Sequence, residues 1–428
     1  MTPSRARPAP PFSPRAADPA EENRETEAFQ SAAETSVSPL ARRVEGGAPT
    51  LARPRAVPTI CVGFLTPNLL LGGAEYWILG LLRRLDPRAF SLGGVAMMNN
   101  APSELEVCRE AASCTRIYGG PLHDCPADRA PDRCLVLRFP SLRDALAKVA
   151  ADSDILIVWG LSHLDRYLGG LGFPGPIVLV SHGCGPATEK MLASSETFAS
   201  HLVGVSAAAA ASFHSKRVAV LHDGGDHERC RVTRSRDRTR DEWGALPTEK
   251  LVGYVGRFSW EKNPLAAARA VRRLGAGYRA VYIGSGWKEH EVKAAVLQLA
   301  PNAIFVPPVK QVGDALAALD AFVLASPSEG FSLSLTEAWL CGLPTVATRV
   351  GAIPELERAH GRLVVPVSVD ASDEELSCAV RRALGEENRA VVERAREVAW
   401  RHYTADAMAK RWSDFLLQIY RPACPTLQ

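Results

Sequence analysis

Ser326-Pro327-Ser328-Glu329-Gly330-Phe331-Ser332-Leu333-Ser334-Leu335-Thr336-Glu337-Ala338-Trp339 is the stretch from which the rest of the chain is read. The apolar run Ala321 to Ala325 precedes it as a short buried strand. Gly342 and Pro344 stand where they can stop the helix that it opens. Two carboxylates, Glu329 and Glu337, lie eight positions apart. The first falls in the loop and the second about one turn into the helix, so both can face one cleft. Ser332 and Ser334 offer capping hydroxyls, and Gly330 lets backbone approach a ligand closely. Free N–H groups and the positive dipole end of such a helix favour an anion such as a diphosphate. Carboxylates beside an anion site serve hydroxyl groups. Together they imply a phosphorylated, hydroxyl-rich ligand, of which a nucleotide-sugar is the simplest. The alternative is an ordinary strand–loop–helix with surface glutamates.

From Glu329-Gly330-Phe331 to Glu337-Ala338 the stretch resembles the E-x7-E element of the retaining GT-B glycosyltransferases of the large fourth family. The second half of the chain extends that resemblance. Lys250 to Val255 reads as a strand, and Gly256-Arg257-Phe258-Ser259-Trp260-Glu261-Lys262 behind it is similar to the family's Gly-Arg-x4-Lys. Arg257 and Lys262 leave a strand's carboxyl end and can converge on one diphosphate, arginine as a fork and lysine as a point charge. Ala280 to Gly286 reads as a strand with a Gly-rich turn, and Ala303 to Val306 as another strand. Pro307-Pro308-Val309-Lys310 occupies the place where relatives hold the base through backbone groups, which implies Val309 as a base contact; the two prolines are a departure. Gly351-Ala352-Ile353-Pro354-Glu355 matches Gly-x-x-x-Glu, and Arg362 to Val365 reads as the last strand. Arg401 to Tyr420, with Trp412, Phe415, Leu416 and Ile419 on one face, resembles the final helix that crosses back onto the first domain.

The first half resembles the family more loosely. Thr59 to Leu65 reads as a strand, and Gly72-Gly73-Ala74-Glu75 opens an amphipathic helix from Tyr76 to Leu85. Strand, Gly-rich loop and helix form the phosphate-cradling arrangement of doubly wound folds, and the resemblance places Gly72 and Gly73 near the donor's phosphates. The helix face Trp77, Ile78, Leu81 and Leu82 reads as core, with Arg83 and Arg84 as a solvated edge; weak peripheral membrane contact is the alternative. Ile155 to Trp159, Ile177 to Val180, Leu202 to Val205 and Val218 to Leu221 read as buried parallel strands. His182 follows one of them on the ligand side and matches the family's first-domain histidine near the donor sugar. Leu221 to Asp226 resembles the family's Asn-Gly-x-Asp turn with Asp223 in place of Asn, and is read as a turn. Asp152-Ser153-Asp154 has the D-x-D form of metal-dependent transferases but precedes its strand, whereas ligands collect beyond carboxyl ends. No metal site and no cofactor are expected. His227 to Asp241 is rich in arginine (Arg229, Arg231, Arg234, Arg236, Arg238, Arg240) without interleaved aromatics for base stacking. It reads as a solvated linker or helix edge, not a nucleic-acid site.

The chain has 428 residues, 46% hydrophobic and 23% charged, with a formal net charge of +3. That is room for two cores, and too little charge to argue for nucleic acid. No apolar run reaches the ~18 residues of a spanning helix. The beginning lacks an apolar leader, and the scattered cysteines suit a reducing, cytoplasmic setting. The expected organisation is a disordered Pro/Ala/Arg/Glu-rich tail over 1–57, then an acceptor-side Rossmann-like domain over 58–226. A linker over 227–249 leads to a nucleotide-sugar-binding Rossmann-like domain over 250–403. A helix at about 404–421 returns to the first domain. The fold class is α/β in a GT-B architecture, two doubly wound domains facing across a cleft.

The resemblance implies transfer of a sugar from a nucleotide donor to an acceptor hydroxyl with retention. Arg257, Lys262 and the helix start would stabilise the departing diphosphate. Glu329 and His182 would flank the sugar, with Gly330, Phe331 and Ser332 beside it, and Glu337 would accept from the ribose. An epimerase or phosphorylase on the same architecture, or a non-catalytic nucleotide-sugar-binding protein, are the alternatives.

Overall fold

The computed structural model describes residues 59–69, 72–97, 106–119, 136–215 and 217–420; the expected tail lies outside them. Among these residues two parallel sheets form. The first has the strands β1 (Ile60–Thr66), β2 (Phe90–Met97), β3 (Ile117–Gly119), β4 (Val136–Arg138), β5 (Ile155–Trp159), β6 (Ile177–Ser181), β7 (His201–Gly204) and β8 (Val218–Val220). Their spatial order is β4-β3-β2-β1-β5-β6-β7-β8. The second holds β9 (Lys250–Val255), β10 (Tyr278–Ile283), β11 (Ile304–Val306), β12 (Ala321–Leu324), β13 (Thr345–Thr348) and β14 (Val365–Val367), in the order β11-β10-β9-β12-β13-β14. Continuous Val/Ile/Leu runs suit strands covered on both faces, and Val62, Phe64, Leu156, Val158, Val178 and Val180 are all buried.

The chain reverses direction across each sheet between two neighbouring strands, β1 and β5 in the first, β9 and β12 in the second. At such a switch point the loops leaving the carboxyl ends splay apart and open a crevice. Gly72 and Gly73 follow β1. Arg257 and Lys262 follow β9. Glu329 to Ser332 follow β12. Parallel pairing therefore delivers residues far apart in sequence to one region.

One strand departs from the sequence reading. β14 starts at Val365, not Arg362, although Leu363 and Val364 are buried ahead of it. β2 carries Gly93-Gly94, a pair that ordinarily reads as a turn. Here it lies in a strand; glycine is needed at Gly94 because a side chain there would meet the Tyr118 ring at 2.5 Å, and the register against β1 shifts at Val62/Gly63.

Helix α1 (Gly73–Arg84) has Glu75 in its first turn and Arg83 and Arg84 in its last, a distribution that complements the helix dipole. Trp77, Ile78, Leu81 and Leu82 are buried, and the ring of Trp77 meets Trp412 edge-on at 5.4 Å. The arginines are paired as well, Arg84 with Asp226 and Asp406 at 2.8 Å and Arg83 with Glu110 at 2.6 Å. This face is core, so it does not offer the membrane contact considered from sequence. No described helix is long and apolar enough to cross a membrane.

The arginine-rich run divides. Helix α2 (Arg236–Glu242) turns Arg236 and Arg240 onto Asp320, at 2.8 and 2.5 Å, just ahead of β12. Arg240 is 6% exposed. Only part of the run is the solvated edge expected from composition, because an acid 80 positions away takes two of its arginines. Helix α3 (Leu333–Leu340) follows β12, and helix α4 (Ala405–Ile419), capped by Thr404, packs on α1.

Candidate active site

Gly330 sets the approach of the two walls. A Cβ there would lie 2.0 Å from the His182 carbonyl oxygen, so only glycine lets the β12 loop lie directly against the turn after β6. Ser332 then caps α3, its Oγ accepting from the Leu335 N–H at 3.3 Å, which leaves the earliest N–H groups of the helix free. Glu329 lies across from Lys262, Oε2 to Nζ 2.9 Å. Lys262 is held by a turn in which Asn263 takes a left-handed conformation and donates its amide to the Ala325 carbonyl at 3.0 Å. The loop after β9 is thereby tied to the end of β12.

Arg257, Lys262, Glu329, Phe331, Ser332 and Glu337 line one cavity of about 350 Å³ with Val309. Gly72, Gly73 and His182 line it from the other side. The residues expected around the donor are thus brought together, Gly330 just behind the lining against the His182 backbone. The volume suits a small-molecule site. A Cβ at Gly72 would sit 3.1 Å from Arg257 Nη2, so the glycine loop gives this guanidinium its room. Arg257 also lies under the exposed Trp287, 4.8 Å from its ring.

Glu337 does not stand alone. Its Oε1 accepts from Arg229 Nη1 at 2.9 Å, and the same guanidinium donates to the Val309 carbonyl at 3.3 Å and the Lys310 carbonyl at 3.1 Å. It lies 3.9 Å over the Tyr76 ring. Burial pushes the Glu337 carboxyl above its usual range, with Arg229 pulling it back down. Sequence reading placed Arg229 on a solvated linker; the structure puts it inside the site. The pairing that identifies it spans 108 positions, and nothing local marks it.

Two further acids were not expected in the lining. Glu75, in the first turn of α1, is raised by burial, with its own backbone N–H, Arg257 and His182 acting in the opposite direction. Asp223, read as a turn residue, is 1% exposed and places Oδ2 3.4 Å from His182 Nδ1. The Gly-x-x-x-Glu element reaches the other half: the Ala207 N–H donates to Glu355 at 3.0 Å, and His222 Nε2 stands 3.0 Å from the same carboxylate. The D-x-D acids are occupied at the far end of the sheet. Asp154 accepts from the Cys61 N–H at 2.7 Å and Asp152 pairs with Lys148 at 2.6 Å.

Residues 249–385 match the family model described as Glycosyl transferases group 1. A D-inositol 3-phosphate glycosyltransferase of Mycobacterium marinum is 30% identical over 250 residues, 55% of this chain and 50% of that protein. An N-acetyl-alpha-D-glucosaminyl L-malate synthase of Bacillus anthracis is 26% identical over 199 residues, 45% of this chain and 52% of that protein. The chain spans about half the length of these curated relatives. Among solved structures, Anabaena HepE in complex with UDP and glucose superposes with a TM-score of 0.67 at 17% identity, over 83% of this chain and 99% of that one. Sucrose-phosphate synthase from Thermosynechococcus elongatus gives 0.63 at 16% identity, over 84% and 98%.

Proposed function

With a Glycosyl transferases group 1 domain over residues 249–385 seated on a GT-B fold, we propose that this protein moves a sugar from a nucleotide-sugar to an acceptor hydroxyl, with retention and without a divalent metal. One observation carries the reading. Lys262 and Glu329 meet at 2.9 Å between the carboxyl ends of β9 and β12, beside the start of α3 and facing His182. A cation and a helix N-terminus suit a diphosphate, and the carboxylate beside them suits sugar hydroxyls.

In the reaction the bond from the anomeric carbon to the phosphate oxygen breaks, and its electron pair goes to the diphosphate. The acceptor oxygen bonds to the same face of that carbon, and its proton passes to the departing phosphate oxygen. Arg257, Lys262 and the free N–H groups of α3 stabilise the charge as it grows on the leaving group. Glu329 orients the sugar that becomes cation-like, and Glu337 receives the ribose while Arg229 holds its other side. The engagement of Asp152 and Asp154 elsewhere supports leaving a carboxylate-bound metal out of this scheme.

The test is a thermal-shift panel of nucleotide-sugars, UDP-sugars first because Anabaena HepE is solved with UDP. A donor at 100 times its Kd stabilises by about 2.7 kcal/mol. Product analysis with and without polyol acceptors follows. Absence of stabilisation by every nucleotide-sugar refutes the proposal.

A further inference from the structure

His182 sits in an aromatic box. Trp77 meets its ring edge-on at 4.5 Å and Trp159 at 5.6 Å, so the imidazole has little freedom to turn. One nitrogen, Nδ1, faces Asp223 Oδ2 at 3.4 Å. The other, Nε2, is buried with no hydrogen-bond partner, and so is Asp223 Oδ1. Both side chains line the cavity. An unpartnered, buried ring nitrogen at the cavity wall calls for a ligand that satisfies it.

The Asp223 backbone is pinned from behind. Arg411 of α4 donates to the His222 carbonyl at 2.8 Å and to that of Asp223 at 3.3 Å. The Gly225 N–H donates to the Tyr403 carbonyl at 2.9 Å. A Cβ at Gly224 would lie 2.1 Å from the Thr404 carbonyl oxygen, so the turn lies flush against the returning chain. The carboxylate has a defined position, which a surface turn would not supply.

We propose that Asp223 is a positioning residue that acts through His182 and makes this wall read a ligand hydroxyl. An ionised carboxylate only accepts hydrogen bonds. Facing Nδ1, it selects the neutral tautomer protonated there, and Nε2 then presents a lone pair to the cavity. Nε2 is then the acceptor that this point of the wall offers to a ligand. The group that docks is a hydrogen-bond donor, a hydroxyl of the transferred sugar or of the acceptor, not a phosphate. Asparagine, which the resembled turn carries in place of Asp223, can present its N–H to Nδ1 and so permits the opposite tautomer. The 3.4 Å separation is that of an open site, and such contacts tighten when ligand binds.

The inference rests on the sugar-transfer reading for its kinetic arm only. Asp223→Asn should lower kcat by about ten- to a hundredfold, the worth of one charge-assisted hydrogen bond felt in the transition state. Nucleoside diphosphate affinity and Tm should stay at the parent values. In a His182→Ala background the same substitution should change kcat less than about twofold, because there is no imidazole left to orient. If donor hydrolysis without acceptor slows equally, the hydroxyl is the sugar's; if only transfer slows, it is the acceptor's. An undiminished kcat, or an equal loss in both backgrounds, overturns the proposal. Independently of activity, a long-range 1H–15N spectrum of histidine-labelled protein should show His182 protonated at Nδ1 and bare at Nε2, with that pattern lost in Asp223→Asn. The signal is assigned by its disappearance in His182→Ala. Protonation at Nε2 in the parent protein overturns the proposal even if the variants fold poorly. If no nucleotide-sugar turns over, the functional reading falls while the spectrum still decides this one.

Discussion

Replacing Arg229 by methionine keeps a long side chain and removes the charge. The structure gives the consequences. Glu337, 5% exposed, loses the 2.9 Å partner of its Oε1, and the Val309 and Lys310 carbonyls each lose a donor. Breaking a buried pair from one side costs about 3–5 kcal/mol, because the remaining charge is uncompensated. Glu337 can escape part of this by taking up a proton. Burial already raises its carboxyl and Arg229 lowers it, so without the arginine it rises further. A carboxyl raised in the folded state contributes stability below its ordinary value of 4.5 and loses it as pH climbs through the folded value. The deficit of Arg229→Met relative to the parent should therefore be small near pH 5 and widen toward pH 8. At about 2–4 °C per kcal/mol for a chain of a few hundred residues, the fall at pH 8 is roughly 6 °C or more. Scanning calorimetry at both pH values measures it, and Glu337→Gln on top of Arg229→Met should recover much of the loss. Nucleoside diphosphate binding should weaken alongside, since the arginine also holds the Val309 carbonyl. An unchanged Tm at pH 8 with unchanged nucleotide affinity would mean that Arg229 is the solvated linker cation that composition suggests, and not the partner that Glu337 depends on.

Glu329→Gln should lower kcat more than it weakens donor binding, because in the proposed reaction charge develops on the sugar beside it; a raised KM with full kcat contradicts this. Lys262→Ala should cost roughly ten- to a hundredfold in kcat, one charge-assisted contact, while the parent protein keeps its activity in excess chelator; inactivation by chelator with rescue by magnesium or manganese is the opposing result. Glu75→Gln should gain Tm relative to the parent as pH rises above 4.5, since burial raises this carboxyl and ionising it costs stability. A gap between the two proteins that is constant from pH 5 to 8 goes against it.

Local sequence was enough to identify what local physics controls. Glycine before a helix, a serine cap, unbroken Val/Ile runs and paired cations after a strand are read within a window of ten residues, and β9 ran from Lys250 to Val255 as the pattern has it. The apolar pattern overran at the last strand, where Leu363 and Val364 are buried ahead of β14 without belonging to it. The residues that line the cavity were legible because both walls use loops at carboxyl ends, where the chemistry of a residue type is its signature. Arg229 and Asp223 were not. An arginine in a basic run and an aspartate in a turn have solvated explanations that cost nothing locally. Only burial changes that, since a charge removed from water must find its partner, and the partner is chosen by the packing of the whole chain. Arg229 found Glu337 through the crossing from one sheet to the other. Asp223 came to face His182 because the helix at the end of the chain returns to press its turn inward. Those pairings are decided by the tertiary structure, for sequence distance sets no limit on which charges share one dry space.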